Sequence, residues 1–342
     1  MTQRKGWIEA LTLCGAVAAL SAFVAPAKPA FEKTGTIAAP DDRWDFASWD
    51  AHHRLLLVAH GKDVLIIDPA HPQAVRAVGA LQGAHGVVAI PGTDNLLVTS
   101  AKDNTARVID EASGTEIASI PVAEDPDAVV LSASGLRAYV MAARAGVISV
   151  IDLVKNVEVR RIAVKPGLEV PVLVTPGLIA VNDEDASEIE MVNLIARKMV
   201  GSIPLTGCQG PTGLAYDPST GLALSACGNG QAALVDLKAR RVVTLLAIGA
   251  GPDTVIWDSA HKRFLVPCGK SGTLSVIRLV GRTPIVEPPA QTEPSARTAA
   301  YDPATGHIYL PAASFGPAEG LKRGPLVPGS FHIVVMSPHV RS

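Results

Sequence analysis

The sequence predicts an all-β fold of seven similar four-stranded antiparallel sheets, and three observations support this prediction. The segment Asp125–Gly167 contains four short apolar runs rich in β-branched residues and separated by turn residues, a pattern typical of one small sheet. The end of its third run recurs about every 42 residues. These recurrences are Ile67-Asp68, Ile109-Asp110, Ile151-Asp152, Val192-Asn193, Val235-Asp236 and Ile277-Arg278. A second marker, the end of the first run, recurs at Asp50, Ile90, Ser132, Thr175, Asp217, Asp258 and Asp302.

This repeat length indicates how the sheets assemble. A lone four-stranded sheet cannot bury both of its faces, so seven of them are expected to stack around a central axis as the blades of a β-propeller. In the seventh repeat the third-strand marker, Val335-Met336, is late by about 16 residues. We therefore predict an insertion of that size in blade seven, at Ser314–Ser330.

The two ends of the propeller, predicted over residues 28–342, must meet to close the ring. The seventh repeat ends at its third strand, Phe331–Ser337, with no fourth strand after it. The segment Glu32–Ile37 matches fourth strands elsewhere in the chain, such as Thr115–Ile120 and Lys198–Ile203. The N-terminal strand is therefore predicted to complete the last blade and remove an unpaired sheet edge.

Composition and charge narrow the classes of function. The chain has 342 residues, 48% of them hydrophobic and 18% charged, with 30 Gly and 26 Pro, which suits an all-β repeat protein with many turns. The formal net charge is -2 and no run of Lys or Arg is present, so these totals give nucleic-acid binding no electrostatic support. We expect no nucleic-acid partner, and a monomer.

The first residues are predicted to be a signal peptide, residues 1–27. Arg4 and Lys5 precede an apolar run over Ala10–Val24, and Ala25-Pro26-Ala27 fits a small-residue cleavage site. The run is short for a membrane span, so we expect a periplasmic or secreted protein with no membrane span after cleavage. An uncleaved N-terminal anchor is the alternative.

Export makes the remaining cysteines candidates for a disulfide. Cys208 precedes the first strand of blade five and Cys227 ends the second strand of that blade, so their loops share one face of the propeller. We predict a Cys208–Cys227 disulfide in an oxidising compartment. A Cys227–Cys268 pair and three buried free thiols remain open alternatives.

The repeat also resembles a known family. Its motif includes Ile120-Pro121-Val122, Pro126-Asp127, Tyr139-Val140 and Val150-Ile151-Asp152. These features resemble the YVTN-type β-propeller repeats of exported YncE-like and surface-layer proteins, over most of the chain after the signal peptide. The resemblance implies the seven-bladed fold. It leaves function open, because relatives include binding proteins, lactone-opening enzymes and propellers attached to redox proteins.

Candidate functional residues are expected at one mouth of the central channel, where the loops that lead into each first strand gather. We place the start of each innermost strand five positions before the end of the first run of each repeat. The residues at these positions are Asp45, His85, Asp127, Val170, Thr212, Asp253 and Arg297. Blade four departs from the repeat, with Glu169-Val170-Pro171 in place of Pro-Asp. The predicted ligand-binding residues are Asp45, His85, Asp127, Asp253 and Arg297. The alternative for Asp127 and Asp253 is capping of loop N–H groups, and for Arg297 a structural ion pair.

A divalent metal ion is a further hypothesis for the mouth. His60 and His85 come from adjacent blades and could share such an ion with Asp45, although no dense ligand motif such as HExxH supports this. The sequence has no CxxCH haem motif, no P-loop and no GxSxG nucleophile elbow.

Two functions fit these residues. The first is an exported, non-catalytic propeller that binds a small ligand or a protein partner at the mouth, which is favoured because no nucleophile–base pair is recognisable. The second is a metal-assisted hydrolase of lactone-type esters, in which the metal polarises the carbonyl while Asp or His activates water. The Ser314–Ser330 insertion is predicted to fold over the mouth as a partial lid, with Lys322 and Arg323 at its rim.

Overall fold

The computed structural model describes residues 1–2, 28–318 and 324–339 and confirms the predicted fold. Seven four-stranded antiparallel sheets form the blades of a propeller. The predicted signal peptide lies outside the described residues except for its first two positions. Within the described ranges, no helix is long and apolar enough to span a membrane.

The strands follow one another around the ring in chain order. The first strand is β1 (Phe31–Ala38). Blade one consists of β2 (Ala47–Asp50), β3 (Leu55–His60), β4 (Asp63–Ile67) and β5 (Arg76–Val78). Blade two consists of β6 (Ala84–Ala89), β7 (Asn95–Ser100), β8 (Thr105–Asp110) and β9 (Glu116–Pro121). Blade three consists of β10 (Pro126–Leu131), β11 (Arg137–Ala142), β12 (Val147–Asp152) and β13 (Val157–Ala163). Blades four and five are β14 (Leu168–Thr175), β15 (Leu178–Asp183), β16 (Glu188–Asn193), β17 (Lys198–Pro204); and β18 (Pro211–Asp217), β19 (Leu222–Cys227), β20 (Gln231–Asp236), β21 (Arg241–Ala247). Blades six and seven are β22 (Ile256–Asp258), β23 (Arg263–Cys268), β24 (Thr273–Val280), β25 (Thr283–Gln291); and β26 (Ala300–Tyr301), β27 (Ile308–Ala312), β28 (His332–Pro338), with β1.

The hydrophobic pattern of each strand follows from its place in the blade. The second strand of blade five, β19, is buried at every position because neighbouring blades cover both of its faces. The outermost strand of the same blade, β21, alternates between exposed and partly buried positions, because its outer face meets solvent. The hydrophobic cores therefore lie between adjacent blades, seven clusters in all among the described residues.

The predicted closure of the ring is confirmed. Strand β1 pairs with β28 along its length, from Phe31 opposite Pro338 to Ala38 opposite His332. Phe31 is 1% exposed and packs in the core between blades six and seven, with the guanidinium of Arg263 lying 4.5 Å from its ring centroid. The N-terminal strand thus supplies both the missing sheet edge and a large buried side chain.

Side-chain hydrogen bonds near the channel also join neighbouring blades. The Thr99 hydroxyl of blade two donates to the Asp127 carbonyl of blade three at 2.7 Å, and the Thr298 hydroxyl of blade seven donates to the Asp45 carbonyl of blade one at 2.7 Å. The Asn182 amide likewise donates to the carbonyls of Thr212 and Gly213 in blade five. These bonds hold the backbone of the channel-lining residues Asp45, Asp127 and Thr212 in place against the neighbouring blade.

The described part of the blade-seven insertion is ordered against the mouth. Its two limbs meet in a bridge between Phe315 and Leu326, and the Asp41 carboxylate accepts hydrogen bonds from the backbone N–H groups of Gly329 and Phe331. The Phe315 ring lies 5.9 Å from that of Trp44, which belongs to the loop that leads into blade one. The predicted rim residues Lys322 and Arg323 lie outside the described residues.

The structure joins Cys208 and Cys227 in a disulfide, with their Cα atoms 5.4 Å apart. The third cysteine, Cys268, is a buried free thiol. The bond ties the loop before blade five to the end of its second strand.

Phe31 gives a test of the closure. We expect Phe31→Ala to lower the free energy of unfolding by about 3–5 kcal/mol, because it opens a cavity between blades six and seven. Ile117→Ala, on the outermost strand of blade two where the side chain is 48% exposed, should have little effect. Urea unfolding of both variants measures this, and equal small losses would contradict a structural role for the N-terminal strand.

The cysteines give a second test. We expect non-reducing peptide mapping to recover Cys208 linked to Cys227, and native alkylation to leave buried Cys268 unmodified. Reduction should lower the free energy of unfolding by about 3 kcal/mol, the loop-closure contribution expected for a short loop. Recovery of Cys227 linked to Cys268 would contradict the pairing.

Candidate functional site

The candidate site is a ring of seven side chains, one from each blade, around the channel mouth. In blades two to five the ring residue is the first of two bulged residues that interrupt the pairing of the first and second strands. A bulge re-aims a side chain out of the sheet. The ring consists, in blade order, of Asp45, His85, Asp127, Glu169, Thr212, Asp253 and Arg297.

Blade four corrects the sequence prediction, because the ring position is Glu169 and not Val170. In blade three, Pro126 pairs with Ala142, 16 residues along the chain. In blade four, Leu168 pairs with Asp183, only 15 residues along. The first hairpin of blade four is thus one residue shorter, so a position counted back from its turn falls one residue late. Counting forward from the preceding blade would have found Glu169.

The structure brings all five predicted ligand-binding residues together as one chain of alternating charges. Arg297 Nε lies 2.5 Å from Asp253 Oδ2, and Arg297 Nη2 lies 3.4 Å from Asp45 Oδ1. His85 Nδ1 then lies 2.6 Å from Asp45 Oδ2 and 3.1 Å from Asp127 Oδ1. The chain runs through blades six, seven, one, two and three, so each cation bridges two carboxylates from its neighbouring blades.

These contacts and the partial burial of the ring shift its titrations. The Asp127 and Asp45 carboxylates raise the pKa of His85 to about 10, so the imidazole is a cation at neutral pH. Burial raises the pKa of Asp127 and raises the pKa of Asp253 to about 6, although Arg297 opposes the latter shift. Burial outweighs the ion pair at Asp253 because the channel wall withholds much of its hydration.

Glu169 differs from the other charged ring residues. Within residues 28–318 and 324–339, no hydrogen-bond donor or cation contacts its carboxyl group. Burial, followed by the nearby charges of Asp127 and Asp253, raises the pKa of Glu169 to about 10. The ring therefore holds four acids and two cations, and the unpaired acid faces the centre from blade four.

Two cavities open at the mouth beside the ring. The larger, of about 700 Å³, lies over blades five to seven and includes Thr212, Asp253 and Arg297 from the ring. Its remaining walls include Glu184, Lys270 and Phe315, so the blade-seven insertion forms part of one wall. The smaller, of about 450 Å³, lies over blades one and two and includes Asp45, His85 and Arg297.

The hypothesised metal set of His60, His85 and Asp45 is not assembled. His60 is 1% exposed; its Nδ1 lies 2.8 Å from Asp63 Oδ1 and its Nε2 lies 3.0 Å from the Pro40 carbonyl. Both ring nitrogens are therefore occupied by the protein. The imidazole supports the loop that leads into blade one, a contact that the sequence could not show because it depends on the direction of the side chain.

A different set could hold a cation at the ring. Asp45, His85 and Asp127 offer ligand atoms that all lie within 4.8 Å of one another. Within the described part of the chain, the buried Asp127 Oδ1 atom has only the 3.1 Å ion-pair contact with His85 Nδ1 and no further hydrogen-bond partner. A divalent ion would have to replace the proton that His85 holds between the two carboxylates, so metal binding there would be favoured only at high pH.

A pH titration tests the charge of His85. We expect the imidazole to remain protonated at pH 8, as measured by NMR with His85→Gln for assignment. A folded pKa raised above the unfolded value contributes stability below about pH 6.5, and this contribution is lost as the pH rises through about 10.

Between about pH 8 and pH 10, the wild type should therefore lose more stability than His85→Gln does. His71→Gln, which removes a surface histidine paired with Asp68, is the matched control and should follow the wild type. A neutral His85 at pH 7.5 would contradict the ring geometry.

Comparisons with known proteins agree with this architecture. No protein-family model and no curated protein matches the chain. Among solved structures, Kuenenia stuttgartiensis hydrazine synthase is similar, with a TM-score of 0.69 and 15% identity over 81% of this chain and 93% of that chain. At this identity the likeness shows the fold alone. The chain is therefore a seven-bladed β-propeller, and its function must be inferred from its own site.

Proposed function

We propose that this protein is an exported, non-catalytic β-propeller that binds a small molecule at the channel mouth. The single observation that carries the proposal is the charged ring beside the larger cavity. A volume of about 700 Å³ is within the range of small-molecule sites, and the site combines a few convergent polar groups with perturbed pKa values. A small molecule is preferred to a protein partner because these groups lie inside a concave channel mouth.

Binding is preferred to hydrolysis because of the state of His85. A general base must be unprotonated near the working pH, whereas the pKa of His85 is raised to about 10 by two carboxylates. The same proton occupies the place that a Lewis-acid metal would take in a lactone hydrolase. A hydrolase that used His85 as its base therefore needs both the proton removed and a metal bound before it can start.

The ring also indicates the chemical class of the ligand. Arg297 and His85 are each paired with two carboxylates, while Glu169 has no partner among the described residues. An ammonium or guanidinium group placed near Glu169 would supply the positive charge that the ring lacks on this side. The nearby cation would lower the pKa of Glu169 and so convert it from the neutral acid to the carboxylate. We infer that the ligand carries a positive charge and that its binding releases a proton.

Two features support export and the family. A disulfide persists in oxidising compartments, so the Cys208–Cys227 bond favours the periplasm or the exterior. The YVTN-type motif residues fall on blade strands: Tyr139-Val140 in β11 and Val150-Ile151-Asp152 in β12. We propose on this basis that the chain is a YncE-like propeller. That it acts as a monomer stays a prediction.

Glu169 gives the test of this function. With the full chain at pH 8, a panel of small diamines and guanidinium compounds should contain a binder with one-to-one stoichiometry. Calorimetry in buffers of different ionisation enthalpy should show about one proton released per ligand, because Glu169 must ionise. Glu169→Gln should weaken binding at least tenfold and abolish the proton release.

The matched control is Glu124→Gln, which removes an exposed acid paired with Arg144 and should bind like the wild type. Binding of anionic compounds in preference to the cationic panel would contradict the proposed ligand class. Turnover of lactones by metal-loaded protein would favour the hydrolase instead.

A further inference from the structure

A second group of acids lies inside blade four, away from the ring. Asp183 ends β15, and Glu188 and Glu190 lie on the adjacent strand β16. The three side chains point to one face of the sheet and are buried, with 1%, 8% and 0% of their surfaces exposed. Their carboxylate oxygens come within 4.8 Å of one another. Asp183 and Glu188 are direct cross-strand partners, an arrangement of like charges that is normally destabilising.

The described surroundings only partly compensate these charges. Asp183 Oδ1 accepts from the Ala186 N–H at 2.8 Å, and Glu190 accepts from the Lys165 N–H at 3.1 Å. Glu188 accepts from the Ser202 hydroxyl at 2.8 Å and forms an ion pair with the Lys165 ammonium group. The other oxygen of Asp183, Oδ2, is buried and without a hydrogen-bond partner in the described structure. When all three carboxyl groups are ionised, they leave a net charge of two negative units beside the one ammonium group.

Other blades show that the fold does not require these acids. In blades three and six, the residue equivalent to Glu190 is a serine, and it performs the same task. The Ser149 hydroxyl accepts from the Ala123 N–H at 3.1 Å, and the Ser275 hydroxyl accepts from the Gly249 N–H at 3.1 Å. In blades three, two, five and six, the residues equivalent to Asp183 are also small or weakly polar: Ala142, Ser100, Cys227 and Cys268. Blade four therefore carries buried charge beyond what its backbone needs.

The loop between blades three and four is shaped to admit a close oxygen cluster. Gly167 has a φ of +87°, and a Cβ atom there would lie 2.9 Å from Asp183 Oδ1 and 3.0 Å from Asp185 Oδ2. A side chain would thus displace the carboxylates. The Lys165 side chain is 45% exposed, so its ammonium group can move into water and leave Glu188 free.

We propose that Asp183, Glu188 and Glu190 form a binding site for a hard divalent cation, with Ca²⁺ as the best fit. All the side-chain donors are carboxylate oxygens, which Ca²⁺ prefers and which suit soft metals poorly. With the Lys165 ammonium group turned into water, three carboxylates face the two positive charges of one divalent ion. The unpartnered Asp183 Oδ2 would become a ligand, and the cation would replace the repulsion across β15 and β16 with attraction.

Calcium binding by the full chain tests this site. After removal of metals with EDTA, calorimetry at pH 7.5 should show one Ca²⁺ bound per chain. At 100 times the dissociation constant, the Tm should rise by about 5 °C, because the ion binds only the folded state. Mg²⁺ should bind more weakly, since it prefers strict octahedral geometry and retains its water.

Matched variants are taken from the other blades. Glu190→Ser installs the residue of blades three and six, and Asp183→Ser installs that of blade two, so both are expected to fold. Each should weaken Ca²⁺ binding by at least about 100-fold, because affinity follows the number of charged ligands. Asp127→Asn, in the ring, should leave Ca²⁺ binding unchanged.

Three outcomes would overturn the site: no Ca²⁺ binding by the wild type, full binding by both serine variants, or loss of binding in Asp127→Asn. The last would place the ion at the ring instead. The calcium site and the small-molecule site are tested with different variants and different ligands. A protein that does not bind Ca²⁺ would therefore not contradict the proposed small-molecule site, which the Glu169→Gln experiment tests.

Discussion

Closure of the ring is the constraint on which the rest of the structure depends. Each blade buries its faces only against its neighbours, so an open ring would expose two apolar faces and an unpaired edge at once. Strand β1 prevents this by pairing with β28 and inserting Phe31 between blades six and seven. The geometry of the mouth depends on this closure, because the Asp45–Arg297 contact joins the first blade to the last.

Closure also explains how the ring tolerates its charges. Seven blades bring one side chain each to the same level, so acids and bases from distant parts of the chain become neighbours. Arg297 and His85 each lie between two carboxylates, which offsets much of the cost of removing these groups from water. The alternation fails only on the side of blades four and five, where Thr212 is uncharged and Glu169 lacks a cation. The site is therefore asymmetric although the fold is repetitive.

Periodicity made most of the architecture predictable, since a strand pattern repeated seven times leaves little ambiguity about its assembly. The ring position was predictable wherever the first hairpin had its usual length, as in Asp45, Asp127 and Asp253. The prediction was wrong in blade four, where it gave Val170 instead of Glu169. The ring position was counted back by a fixed number of residues, and the first hairpin of blade four is one residue shorter than that of blade three. His60 failed for a different reason. Its hydrogen bonds to Asp63 and the Pro40 carbonyl depend on side-chain direction, which repeat spacing does not encode.

Blade four is where the chain departs most from its own repeat, and both proposed sites use residues of that blade. Its ring residue is an unpaired acid, and its second and third strands hold three buried carboxylates. At the positions of Asp183 and Glu190, blade three has alanine and serine and blade six has cysteine and serine. Every blade must satisfy the same backbone groups and fill a similar inter-blade space. Serine meets that demand in blades three and six, so packing does not account for Glu190. A local rule broken without a structural gain is the mark of a functional requirement, and in blade four the requirement that fits the chemistry is a positive charge.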